Sequence, residues 1–248
     1  MIAADGFMPA KRHWRLWSRV IGIVQTIRQL GWTNGLLYAI ARVLEIVSGN
    51  RVCIHKYYLV AQPIAKKCWL PPHRGHSFEI RRVVEFDPLV RQFPRPDHAA
   101  AYRFNQGAVC IAALKAGALA GFLWLTLGPY QEDEVRCRYV PLPAGKSAWD
   151  FDVHVEPEYR NGIVFLKLWD EANLFLAAHQ VQWSLSRISA FNSGSILSHA
   201  RMGARRIGAV TFLSIGSWQI AASTVAPYFH FSRHTGSFPT YALHAEDE

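Results

Sequence analysis

A mixed α/β sheet with helices inserted on both of its sides is the fold class that this chain of 248 residues predicts. Three observations carry that expectation. From Phe78 onward, stretches of period-two alternation are separated by stretches of helical periodicity. Half of the residues are apolar and 13% are aromatic, enough for a packed core. The net charge of +9 is also confined to one end. Residues 1–75 hold eleven Lys and Arg against two acids, Asp5 and Glu45, while the remainder holds sixteen of each sign. The chain therefore divides, on sequence, into a basic extension (1–76) and a neutral body (77–248).

The elements follow in order. "KRHWRLWSRVIGIVQTIRQL" (11–30) has helical spacing, with Trp14, Trp17, Ile21 and Val24 on one face and Arg12, Arg15 and Arg19 on another. A second helix, "NGLLYAIARVLEIVS", ends before Gly49. Arg28, Arg42 and Glu45 interrupt both, so neither offers a spanning segment, and no small-residue cleavage site marks a signal peptide. The pair either lies in the headgroup region of an anionic membrane or packs as a hairpin on the body or on a twin subunit. "RVCIHKYYLVAQPI" (51–64) reads as a strand, and "AKKCWLPPHRGHS" as a linker. The body then gives a strand at 78–84 and helical stretches across 87–105. A hairpin follows, turning at Ala116–Gly117, and then strands at 134–141 and 148–155. A helix at 162–180, a strand at 185–190, a helix at 193–202 and strands within 206–223 complete the pattern. The last 25 residues, aromatic and then acidic, are expected to wrap the sheet's edge and fray.

Two segments hold the chemistry. "VEPEYRNG" ends a strand and opens a helix, and "AFNSGSILSHARMGA" follows the next strand. In this order they resemble the GNAT superfamily of acyl-CoA-dependent N-acyltransferases, over roughly residues 78–223. Val155, Pro157 and Arg160 match the first family segment, and Asn192, Ser195 and Gly203 the second. Asn161, Ile163 and Phe165 stand where the family has small residues, His199 where it has tyrosine, and Ala204 where it has phenylalanine. The resemblance implies a centrally splayed sheet and an acetyl-CoA or other acyl-CoA donor. It places that donor against Val153, Val155, Arg160, Asn161, Gly162, Ile163 and Val164, with Asn192 and Ser195 along its arm. The physical basis is the helix N-terminus, whose unpaired N–H groups and dipole favour a pyrophosphate. Asn192 and Ser195 also read as a helix cap.

The strand "WDFDVHVEP" alternates, so Phe151, Val153 and Val155 are expected on one face and Asp150, Asp152, His154 and Glu156 on the other. An attacking amine is mostly ammonium at neutral pH and needs a base. Asp152 or His154 is the candidate. By resemblance, His199 would protonate the departing thiolate. The acceptor expected is a primary amine on a small molecule such as an amino acid or amino sugar. Two other readings stand beside it. One is a membrane-associated transferase drawing on an acyl carrier protein, which the basic residues 11–47 would suit. The other is a GNAT-like binding module without catalysis.

Cys53, Cys68, Cys110 and Cys137 are widely separated and form neither a CxxC nor a Cys/His spacing. They are expected to be reduced thiols of a cytosolic protein, at most peripheral to the inner face of a membrane. No histidine spacing suggests a metal. The basic charge lies away from the body, which argues against nucleic acid.

Overall fold

The computed structural model describes residues 29–71, 73–160 and 162–245. The helix expected across 11–28 lies outside the described residues. Helix α1 (Trp32–Val47) leads into β1 (Val52–Pro63), β2 (Glu79–Val83), a 3₁₀ turn (Pro88–Gln92) and α2 (Asp97–Phe104). The hairpin β3 (Val109–Lys115) and β4 (Ala118–Thr126) turns at Ala116 and Gly117, both at positive φ. Then come β5 (Tyr130–Gln131), β6 (Arg138–Leu142) and β7 (Ser147–Val155), followed by α3 (Ile163–Ala178), β8 (Trp183–Ser189) and α4 (Ser193–Arg201). The chain closes with β9 (Arg205–Ile215), β10 (Trp218–Ser223), β11 (Phe229–Ser232) and β12 (Thr240–His244).

Among the described residues, nine strands form one mixed sheet in the order β11-β10-β9-β1-β8-β7-β4-β3-β2. Its neighbours are antiparallel except β7 and β8, which run parallel. Those two are in register only from Ser147↔Trp183 to Asp150↔Ser186. Beyond that point both continue, each held on its outer side: β7 by β4 as far as Gly121↔Val155, and β8 by β1 as far as Tyr57↔Ser189. The sheet is therefore splayed at its centre, with the V opening toward the ends of β7 and β8.

One core lies between the sheet and α3, where Leu168, Trp169, Ala172 and Leu176 are fully buried. The other lies beneath α2, the 3₁₀ turn and a small sheet ordered β12-β6-β5, with Phe93, Trp124, Tyr139 and Trp149 at its centre. Gly121 sits where β4 runs beside β7 and beneath α3. A Cβ there would lie 2.6 Å from the His154 carbonyl oxygen and 3.1 Å from Val164 Cγ1, so only glycine allows the approach.

Three expectations need correction. Residues 51–64 fall within the extension on sequence, but β1 is an interior strand, antiparallel to both β8 and β9. Its β-branched and aromatic alternation marks a strand without saying where it pairs. The linker 65–77 is likewise tied to the body: Trp69 N and Leu70 N donate to the Asp170 carboxylate at 2.6 and 3.1 Å. The C-terminal stretch does more than wrap an edge. Phe229–Ser232 is a strand of the large sheet, and Thr240–His244 pairs parallel to β6, with Tyr241 and Leu243 buried.

Candidate active site

At the mouth of the V lies a cleft of about 990 Å³. Its walls come from α2 (Arg95 just before it, Arg103 within it) and the loop Glu132–Asp133–Glu134. Phe151 and Asp152 of β7, Arg187 and Ser189 of β8, and Asn192 and Ser195 at the start of α4 complete it. The site thus gathers segments from both sides of the splay and from the cap of one helix.

A β-bulge shapes the β7 wall. Trp124 pairs with Phe151 and Phe122 with His154, so Leu123 of β4 faces two residues of β7, Asp152 and Val153. Asp152 takes the bulge conformation, with φ 48, which Asp tolerates better than most residues. The extra residue breaks the alternation expected for this strand. Phe151 lies in the core beneath α2, whereas Val153 and Val155 pack against the α3 core. Asp152 and His154 both stay on the α2 side, and His154 stacks on Phe122 at 5.3 Å.

The bulge delivers Asp152 to two arginines. Arg95 Nε donates to Asp152 Oδ2 at 2.9 Å, and Arg103 Nη1 donates to the same carboxylate. Burial alone would raise the Asp152 carboxyl, but Arg95 and Arg103 outweigh it and hold it below its ordinary value. Such a carboxylate is a poor base, and the expectation that Asp152 takes the amine proton is corrected on that ground. Arg103, itself buried, continues to Asp133 (Nε to Oδ2, 2.9 Å). Across the cleft Arg187 donates to Glu132 Oε1 at 2.9 Å and lies 2.9 Å from Glu134 Oε2, while its guanidinium covers the Tyr57 ring at 4.3 Å. Tyr57 Oη donates to Glu134 at 2.7 Å.

These acids are not equivalent. Burial opposes charge on Glu132, yet Arg187 overrides it and brings the carboxyl down to about 2. Asp133 moves the other way: burial and the hydrogen bond it shares with Glu132 raise it, against the pull of Arg103. Burial and its acidic neighbour thus make Asp133 the cleft carboxyl whose protonated form the site favours, the direction a proton acceptor needs. Arg95, Arg103, Glu132, Asp133, Glu134 and Arg187 were all missed from the sequence. The one available signal was the run of three consecutive acids in "QEDEV", between two strands of a body whose charges otherwise balance.

His199 does not reach the cleft. It is 3% exposed, with Nδ1 3.0 Å from Gln62 Oε1 of β1, and it packs edge-on against Phe165 (5.8 Å) and Trp169 (5.4 Å). Burial lowers it to about 4, so at neutral pH it is an uncharged imidazole rather than the imidazolium that would act as an acid toward a departing thiolate. The acid role expected of it is corrected accordingly. His154 Nε2 lies 3.2 Å from Glu156 Oε1.

The donor-side candidates are spread over three environments. Arg160 is exposed, and its Nε donates to the Val155 carbonyl at 3.0 Å, bracing the turn. Gly162 caps α3, with no side-chain cap and no acid in the helix's first turn among the described residues. Asn161 lies outside the described residues. Val164 is fully buried against Gly121, Ile163 lies by Gly75, and Val153 and Val155 are half-buried beneath α3. Any contact these four make with a donor must therefore come largely from their backbones. Asn192 Oδ1 accepts from Ser195 N at 3.0 Å, so the cap reading holds while both residues line the cleft. Among the described residues, no cluster of three or more His, Cys, Asp or Glu is placed to hold a metal.

No family model and no curated protein matches the sequence. Solved structures that resemble the fold include a conserved protein of unknown function from Staphylococcus epidermidis, at 10% identity and TM-score 0.45, covering 70% of this chain and 66% of that one. A protein from Novosphingobium aromaticivorans assigned to the GNAT family as an acetyltransferase overlaps at 17% identity and TM-score 0.46, covering 65% and 63%. An aminoglycoside acetyltransferase from an uncultured soil metagenomic sample gives 13% identity and TM-score 0.38, covering 51% and 87%. The chain thus spans just under two thirds of the length of the first two. The parting of β7 from β8, not these overlaps, defines the fold.

Proposed function

We propose that the protein is an N-acyltransferase that moves an acyl group from a thioester donor to a primary amine held in the cleft. The observation that carries this reading is the V between β7 and β8. Past Asp150 and Ser186 the two strands no longer pair with each other, so their facing main-chain groups are available to an extended ligand arm. An acyl-pantetheine arm has the amides to pair there, and the V would bring its thioester to the cleft mouth. The N-terminus of α3 supplies the dipole for a phosphate at the far end of the arm.

On the acceptor side, four carboxylates line the cleft against three guanidinium groups, and Glu134 and Asp133 are the more exposed of the acids. That excess selects an ammonium. Asp133 accepts the proton, and the freed nitrogen attacks the thioester carbonyl. The C–S bond then breaks, the nitrogen's remaining extra proton passes to the departing sulfur, and the thiol leaves with the donor. A thiol of ordinary pKa near 8.5 is a tolerable leaving group at neutral pH without a dedicated acid. Holding both reactants in one cleft contributes through effective concentration.

One observation favours an acylated carrier protein over acyl-CoA as donor. Phe165, a bulky side chain in the first turn of α3 where the resembled family has a small residue, packs edge-on against His199, which suits a donor without a nucleotide. Thermal-shift titration distinguishes the donors. Stabilisation by acetyl-CoA supports the first, and stabilisation by acylated carrier alone supports the second. With the donor that binds, amine acylation should fall by about 10²-fold or more in Asp133→Asn. Indifference to both thioesters, with no turnover of any amine, would leave a non-catalytic binding module as the correct description.

A further inference from the structure

The half of the large sheet that lies beyond α4 has one face that is only partly covered among the described residues. Register fixes which residues share it. Ile54 pairs with Leu213, Leu213 with Ile220, and Ile220 with Phe231. The neighbouring row is Val52, Ile215 and Trp218, and Phe229 extends the row that begins at Lys56. Directly opposed residues in antiparallel strands project to the same side. Helix α1 lies on that side too, because Asn34 donates to Tyr58 Oη at 2.6 Å and accepts from Lys56 Nζ at 2.9 Å. The opposite face of β1 and β9, with Tyr57, Leu59, Val210 and Phe212, is closed within the core.

Helix α1 does not complete the cover. It buries Asn34 and Ala41 toward the body, while Trp32, Leu36, Val43 and Val47, at i, i+4, i+11 and i+15, point away from it. Trp32 is 87% exposed and Val47 80%. On the sheet, Phe229 is 65% exposed and Trp218 48%. A globular helix normally turns its polar face outward, so an apolar stripe on the outer face, continued by an aromatic sheet surface, marks an interaction site.

Charge identifies the occupant. Residues 46–78 and 172–245, which supply β1 and all of β8 to β12, contain no Asp or Glu. The acid in α1, Glu45, is paired with Arg42. The cations around the face are arranged on its aromatics: Arg233 lies 5.3 Å from the Trp218 ring and 5.7 Å from Phe231, and Arg206 lies 4.6 Å from Tyr58. A second copy docked on this face would set arginines against arginines. An anionic bilayer would accept the apolar side chains at its acyl boundary and the guanidinium groups among its phosphates. We infer that α1 and the partly covered face of β1, β9, β10 and β11 form a surface that binds an anionic lipid bilayer. No helix among the described residues is long and apolar enough to cross one, so the attachment is to its surface.

The test is co-sedimentation of the full chain with vesicles of phosphatidylglycerol and phosphatidylcholine, and with phosphatidylcholine alone. Binding is expected to the first and to be much weaker to the second. The paired variants Trp218→Ser/Phe231→Ser and Trp32→Ser/Val43→Ser, both with residues 1–28 untouched, should each lower partitioning by about tenfold or more. Arg233→Gln should narrow the difference between the two vesicle types. All four substituted side chains are exposed, from 40% at Phe231 to 87% at Trp32, so melting temperatures should stay close to wild type. The inference is overturned if both paired variants sediment as wild type does. It is equally overturned if the protein ignores vesicles and forms a dimer that the same substitutions dissociate in analytical ultracentrifugation.

Discussion

His199 and Asp150 are buried on either side of β8 and titrate in opposite senses. His199 falls from 6.5 to about 4 on folding. Between those values the unfolded chain binds a proton that the folded chain does not, so this group lowers stability as the pH drops. Asp150, at the vertex of the V, accepts from Ser184 at 2.5 Å and has no cationic partner among the described residues. Burial raises it from 3.8 to about 7. In that window the folded chain holds the extra proton, so Asp150 raises stability as the pH drops. The two contributions overlap from pH 4 to 6.5 and largely cancel. His199→Gln should therefore gain stability relative to wild type on acidification across this window, by roughly 3 kcal/mol end to end, and Asp150→Asn should lose a similar amount. Urea titrations at about pH 4.5 and 6.5 check both signs; parallel profiles for wild type and variants would refute the assignment.

The bulge of β7 is the element on which the cleft depends. It turns Asp152 to the side of Arg95 and Arg103, and the substitution Asp152→Asn keeps the left-handed backbone accessible while removing the charge. Arg103, buried and then facing Asp133 alone, should make this variant less stable by about 3–5 kcal/mol. The measurement is a fall in thermal midpoint; on the proposed function, amine acylation falls with it. Gly121 supports the same region from below. Gly121→Ala would press a methyl group into the His154 carbonyl and Val164, at a cost of about 1–3 kcal/mol, read as a lower denaturant midpoint at unchanged slope. The position of the bulge was not legible in "WDFDVHVEP", whose polar and apolar residues alternate without a break. The extra residue is absorbed by pairing with β4, and a strand's own pattern carries no information about its partner.

At the scale of the whole molecule, β1 is the strand that joins the two halves of the sheet. A chain beginning at residue 77 would leave β8 and β9 without their shared partner and expose two unsatisfied edges through the core. It is expected to be insoluble or unfolded by circular dichroism. A chain beginning at residue 29 retains every described element and should keep a cooperative thermal transition. If the fragment 77–248 instead folds with native secondary structure, β1 is dispensable and does not hold the two halves together.

Local physics determined much of this protein from the sequence alone. Side-chain periodicity placed most strands and helices close to their observed bounds. The turn after Val155 and the cap at Asn192 were legible because turns and caps depend on neighbouring residues. The charge imbalance marked one end of the chain as different. Only the tertiary structure decided that residues 52–63 belong at the centre of the sheet, that His199 is sealed against Phe165 and Trp169, and that carboxylates 132–134 line the cleft. Each of those outcomes depends on contacts between segments distant in sequence. Burial and pairing across such distances set both the charge state and the accessibility of a side chain, and neither is written in its neighbours.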